Sequence, residues 1–145
     1  MILRPGTPLD AGRIGAIMSA WIEETDWVPA LHTRAEDIAY AGVMIDRGWI
    51  TVAEDETVTG YLARDGDDIH ALYVDPDKRG HGIGTKLLQD AMQQRDTLKL
   101  WTFQANPGAQ RLYERLGFVE THRTDGAEND EKLPDIHYKW KRQTP

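Results

Sequence analysis

Hydrophobic and polar positions change period several times along this chain, and each change marks an element. Ile2–Arg4 reads as a short strand ended by Pro5 and Gly6. Thr7-Pro8 then offers an N-cap with proline at the first helical position. Ile14, Ile17, Met18, Trp21 and Ile22 follow at helical spacing and predict an amphipathic helix. Asp26 to His32 contains Pro29 and reads as a loop. Thr33 with Glu36 forms a capping box, which opens a second helix through Ile38, Val43, Met44 and Ile45 to near Gly48.

From Trp49 the period falls to two. Trp49 to Ala53 and Val58 to Ala63 read as strands joined by the acidic turn Glu54-Asp55-Glu56, a hairpin. Asp65-Gly66-Asp67 turns the chain into a third strand, Ile69 to Val74, stopped by Asp75-Pro76. Gly84 to Met92 returns to helical spacing, Leu98 to Phe103 is a strand, and Asn106-Pro107 opens a helix that Gly117 closes. Phe118 to Thr121 and Ile136 to Trp140 complete the strands, with the polar stretch Thr124 to Leu133 as a loop between them. Interleaved strands and helices predict a layered α/β or α+β structure. No repeat or linker interrupts it, so one domain is expected over residues 1–145.

Composition narrows the function. The chain has no cysteine, which removes disulfides, thiolate metal sites and a cysteine nucleophile, and fits a reducing cytoplasm. A net charge of −7 argues against nucleic acid and suits a cationic partner, although acidity can also serve solubility alone. No apolar run is long enough to span a bilayer, and residues 1–20 lack the layout of a signal peptide. His32, His122 and His137 show no metal-ligand spacing, so no metal is expected.

The densest chemistry lies between Ala71 and Leu88. A strand ends at a proline, a basic turn with three glycines follows, and the turn runs straight into a helix. Helix N-termini present unpaired N–H groups and partial positive charge, and glycines let a backbone approach an anion closely. Such a loop is a pyrophosphate site. The spacing is not that of a P-loop, and Gly80-x-Gly82-x-Gly84 is not a dinucleotide fingerprint.

Arg79-x-x-Gly82-x-Gly84 resembles the Arg/Gln-x-x-Gly-x-Gly/Ala signature of the GNAT family of N-acetyltransferases. Leu72-Tyr73-Val74-Asp75-Pro76 before it and Thr85-x-Leu87-Leu88 after it match as well. A second family motif, Asn-x-x-Ala-x-x-Leu-Tyr-x-x-x-Gly-Phe, is matched by Asn106 to Phe118. The two motifs and their elements cover roughly Ile50 to Thr121. The resemblance implies a three-layer α/β (α+β) fold, a central mixed and mostly antiparallel sheet flanked by helices. It implies acetyl-CoA as cosubstrate and direct transfer of its acetyl group to a primary amine. The amides from Arg79 through Gly80, His81, Gly82, Ile83, Gly84 and Thr85 would hold the pyrophosphate. The backbone of Leu72, Tyr73 and Val74 would hold the pantetheine arm, with the Val74 N–H polarising the acetyl carbonyl. Asn106 would bind the arm while capping its helix, and Tyr113 would protonate the departing thiolate. His81 is expected to face solvent.

A base must free the amine of its proton, since a lysine-like amine has a pKa of ~10.4. Alternation puts Asp68, His70 and Leu72 on one strand face and Ile69, Ala71 and Tyr73 on the other. Asp68 and His70 are therefore base candidates. The acceptor surface is expected from Trp21, Glu23, Glu24, Asp26, Trp27 and His32, and from Asp125, Glu128, Asn129, Asp130, Glu131 and Asp135. Carboxylates beside aromatics suit a cationic amine, whereas solvated loops would carry the same residues. A sensor that holds acetyl-CoA without turnover is the competing function. Dimerisation is common in that family and is left open by the sequence.

Overall fold

The computed structural model describes residues 1–143. Its strands are β1 (Ile2–Pro5), β2 (Ile50–Asp55), β3 (Thr57–Asp65), β4 (Asp68–Val74), β5 (Thr97–Phe103), β6 (Val119–Thr124) and β7 (Asp135–Lys141). Its helices are α1 (Ala11–Glu24), α2 (Arg34–Asp46), α3 (Ile83–Gln94) and α4 (Pro107–Arg115). The strands form one sheet in the order β1-β2-β3-β4-β5-β7-β6. Every neighbouring pair is antiparallel except β4 and β5. Helices pack on both faces, giving the expected three layers.

Period-two alternation sorts the side chains between those faces. Tyr61 and Ala63 of β3 join Ile14, Ile17, Met44 and Val52 beneath α1 and α2. Leu62, between them, joins Leu87, Leu88, Leu98, Leu100 and Ile136 beneath α3 and α4. The capping box at α2 is present: Glu36 N–H donates to Thr33 Oγ1, and Thr33 N–H donates to the Glu36 carboxylate. Such a cap stabilises a helix by about 1 kcal/mol. A 3-10 turn, Pro8–Asp10, precedes α1. There Arg4 holds Asp10 at 2.9 Å and Glu54 at 2.9 Å. Hydrogen bonding from Arg4 outweighs burial and lowers the Asp10 carboxyl to about 2.

Two sequence expectations need correction. The predicted α2 stripe is split: Met44 and Ile45 are buried, but Ile38 and Val43 are 40% and 42% exposed. α2 packs against α1 and the sheet over too narrow an arc to cover both. The predicted alternation along β4 also fails. Ala63 pairs with Ala71 but Arg64 pairs with Ile69, so His70 is the extra residue of a β-bulge. Ile69 therefore joins Leu72 on the α3 face, while Ala71 and Tyr73 face α1.

Candidate active site

β4 and β5 touch only at their beginnings. Their register is the single pair Asp68 and Lys99, with the Lys99 N–H donating to Asp67 O at 2.8 Å. β5 gives β4 no further partner beyond that point, and the strands splay apart. A cleft of about 1040 Å³ fills the gap. β4 supplies one wall from Ile69 to Val74, and β5 supplies the other from Leu100 to Phe103. α4 closes one end, and the loop between β6 and β7 overhangs the other.

The parity of β4 decides which backbone groups reach this gap. The Asp75 N–H donates to Thr59 O at 2.7 Å, so Asp75, Tyr73 and Ala71 direct their backbone groups to β3. The N–H and C=O groups of Leu72 and Val74 consequently point into the cleft. Tyr73 was expected to offer its backbone there too; it offers only its ring. Burial raises the Tyr73 phenol to about 12, with the Glu131 carboxylate adding to the shift.

The loop after β4 is braced from below. Arg13 donates to Val58 O at 2.9 Å and forms an ion pair with Asp75. Burial works against the Asp75 charge, yet the Asp77 N–H and Arg13 hold its carboxyl below the usual range. Gly80 and Gly82 take φ of +80° and +77°. A Cβ on Gly82 would meet nothing within 4 Å, so the chain leaves open space above it. Gly82 caps α3, whose first interior bond runs from Lys86 N–H to Gly82 O at 3.0 Å. The amides of Ile83, Gly84 and Thr85 are left as free donors. A Cβ on Gly84 would make ordinary contact, 3.6 Å from Leu112, so alanine fits there.

The side chains of this loop take three different places. Arg79 lines the cleft and pairs with Glu24 of α1. His81 is exposed, as expected, and its Nδ1 also lies 3.0 Å from Arg79 O. Thr85 Oγ1 accepts from Arg115 at 3.2 Å.

Asn106 caps α4, its Oδ1 accepting the Ala109 N–H at 3.1 Å, and it lines the cleft. Tyr113 also lines the cleft, with its ring against Phe118 and Tyr138 at 5.7 and 6.0 Å. No described group within the chain accepts the proton of its hydroxyl, which is left free at the cleft wall. Burial, then the neighbouring Tyr73, pushes the phenol well above its ordinary range. It stays protonated at every physiological pH.

The bulge turns His70 into the cleft wall, stacked on Trp49 at 4.7 Å. Arg47 lies on the same indole, 4.9 Å from the ring centroid. Asp68 is not brought to the cleft; it sits at the strand start, 3.9 Å from Lys99 Nζ. Four rings bridge the splay. Tyr73 meets Trp21 at 5.4 Å, Trp21 meets Trp27 at 6.0 Å, and Trp27 meets Phe103 at 5.7 Å. His32 is exposed and takes no part, and Glu23 is tied to Arg34 at 2.7 Å.

The loop from Thr124 to Asp135 is built rather than slack. Asn129 donates to Leu133 O at 2.8 Å and accepts from the Leu133 N–H at 3.2 Å. Gln104 ties both ends, donating to Thr124 O and Asp135 O at 3.1 Å each. Glu128, Asp130 and Glu131 thereby line the cleft opposite Trp21 and Tyr73. Asp125 instead caps the Ala127 N–H at 2.9 Å.

One grouping was not expected from sequence. Thr121 Oγ1 lies 2.8 Å from His122 Nδ1 and 2.6 Å from His137 Nδ1, and both rings lean on Trp101. Burial, then His122, lowers the His137 pKa. Trp101 is half exposed and continues the cleft onto the open face of β5, β7 and β6. His122 opposite His137 across two strands was the available signal, but it requires the strand register.

Known proteins resemble this chain in sequence and in fold. A family model described as the acetyltransferase (GNAT) domain matches residues 46–120. An N-acetyltransferase of Methanocaldococcus jannaschii, MJ1207, is 39% identical over 83 residues, 54% of this chain and 33% of that protein. The peptidyl-lysine N-acetyltransferase YjaB of Salmonella typhimurium is 31% identical over 77 residues, 53% of each. The chain thus spans about half or less of these relatives. The structure of YncA from Salmonella typhimurium with its cofactor acetyl-CoA superposes with a TM-score of 0.75 at 21% identity, over 100% of this chain and 97% of that one. That likeness is one of fold. Because the matched family segment runs from the end of α2 into β6, and so takes in the glycine loop, the splayed strands and α4 together, the chain belongs to the GNAT acetyltransferase family.

Proposed function

We propose that this chain transfers the acetyl group of acetyl-CoA directly to a primary amine. The observation that carries the reading is the continuity of one cleft. It begins at the free amides of α3, follows the unpaired backbone of Leu72 and Val74, and ends at the Tyr113 hydroxyl. Open space at Gly80 and Gly82, free N–H donors and an unpaired strand edge suit a long, anionic, thin ligand. YncA, which shares the fold, holds acetyl-CoA. The cosubstrate would supply an activated acetyl thioester.

The residues then divide the work. The amides of Ile83, Gly84 and Thr85, with the loop from Arg79 to Gly82, hold the pyrophosphate. Leu72 and Val74 pair with the pantetheine arm, and the Val74 N–H steadies charge on the carbonyl oxygen. Asn106 orients the arm. His70, on the cleft wall, takes the amine proton directly or through water. Tyr113, still protonated, gives its proton to the leaving sulfur. Glu128, Asp130 and Glu131 draw a cationic acceptor to the cleft. YjaB is named for peptidyl-lysine, so lysine side chains head the acceptors to try.

The test is a thermal-shift titration with acetyl-CoA, followed by thiol release against a panel of amines that includes lysine peptides. Ligand bound only to the native state raises Tm. No shift at high micromolar acetyl-CoA defeats the cofactor reading. A shift without thiol release on any amine leaves a sensor and defeats the enzyme.

A further inference from the structure

α1 ends in Glu23-Glu24 with no basic residue in its last turn. A helix C-terminus carries partial negative charge, so carboxylates there are poorly placed. Each has found a cation elsewhere. Both Glu23 oxygens accept from Arg34, at 2.8 Å each. Glu24 pairs with Arg79, and no other described cation meets it. The Glu24 contact is the odd one, because Arg79 lines the cleft at the foot of the glycine loop. Arg79 and Glu24 remain 43% and 37% exposed, so either can exchange its partner. Glu24 also lies within one turn of Trp21, the ring that lines the acceptor end beside Tyr73.

We propose that Glu24 is an exchangeable counter-ion that holds Arg79 while the loop is empty, yields it to the pyrophosphate, and then receives the acceptor ammonium beside Trp21. The inference rests on the coenzyme A reading of the cleft. A guanidinium prefers a phosphate pair, which offers more charge and a bidentate fit, to one carboxylate on a flexible stem. Loss of Arg79 leaves Glu24 at a negative helix end without a cation. An amine arriving as ammonium supplies one. The exchange couples the two ligands, and coupling is reciprocal: cofactor raises amine affinity, and amine raises cofactor affinity.

The experiment is calorimetric titration of coenzyme A into wild type, Glu24→Gln, Arg79→Ala and the double variant, with amine kinetics alongside. A half-exposed ion pair corresponds to about a two- to five-fold change in an equilibrium. Glu24→Gln therefore binds coenzyme A about two- to five-fold tighter, and the gain fades with added salt. In the Arg79→Ala background the same change has no effect on coenzyme A. The KM for the fastest amine of the panel rises in Glu24→Gln while kcat is largely kept. Coenzyme A binding no tighter in Glu24→Gln, or equally tighter without Arg79, overturns the exchange. An unchanged amine KM overturns the second half. A wild type that binds no coenzyme A overturns the underlying cofactor reading instead.

Discussion

Gly126 pins the acidic loop over the cleft, and replacing it with alanine is a sharp perturbation of the acceptor side alone. Its φ is +86°, in the left-handed region. An added Cβ would lie 2.7 Å from Leu133 N and closer still to the Leu133 carbonyl. That neighbour is backbone, so no rotamer relieves the overlap. Left-handed φ costs alanine about 1 kcal/mol. Moving the Leu133 peptide also breaks both bonds to Asn129, at about 1 kcal/mol each. The ordered loop thus loses about 3 kcal/mol against its open forms, roughly a hundred-fold in population. Amide hydrogen exchange reads this directly. Protection at Leu133, which donates to Asn129, and at Lys132 falls by that order in Gly126→Ala. Ile136 and Tyr138, paired within β5 and β7, keep theirs. Coenzyme A affinity stays near wild type, while kcat/KM for amines falls. Wild-type protection at Leu133 in the variant would refute the claim that the glycine holds this loop.

Tyr113→Phe keeps the ring contacts with Phe118 and Tyr138, so Tm and coenzyme A affinity hold while kcat falls about 10²- to 10⁴-fold; parallel loss of affinity and rate would show a packing role only. His70→Gln lowers kcat near neutrality, and the deficit shrinks as pH nears the amine pKa of ~10.4, where the acceptor loses its own proton; a deficit flat with pH would remove His70 as base. For Asp10, the depressed carboxyl makes stability that is present above about pH 4 and is lost as pH falls through about 2. Wild type should exceed Asp10→Asn by up to about 2 kcal/mol at neutral pH in urea unfolding, with the gap closing between those values; a gap unchanged at pH 2 would sever it from Arg4.

What was legible in the sequence is local. The capping box at Thr33, the glycine loop and the helix from Pro107 depend on neighbours within a few residues, and all three are present. The strands were legible as strands and the first pair as a hairpin, β2 with β3, but the order and register of the others were not. Nothing in Ile69-His70-Ala71 announces a bulge; it arises because β3 fixes the register from the far side. Glu24 beside Arg79, and His122 beside His137, likewise depend on strand order and helix placement. The polar run after Thr124 read as an ordinary loop because the side chain that ties its two ends, Gln104, comes from 20 and 31 residues upstream.

The splay of β4 from β5 puts a strand edge in the middle of a sheet. Exposed edges ordinarily recruit other polypeptides and seed aggregation. This one is recessed between α4 and the loop that joins β6 to β7, and a slender chain with amides at intervals suits it better than a second β-strand with side chains on both faces. The fold thereby turns a hazard into a sieve that favours guests by girth, and an occupied slot closes the seam in the middle of the sheet, leaving its outer strands β1 and β6 as the edges.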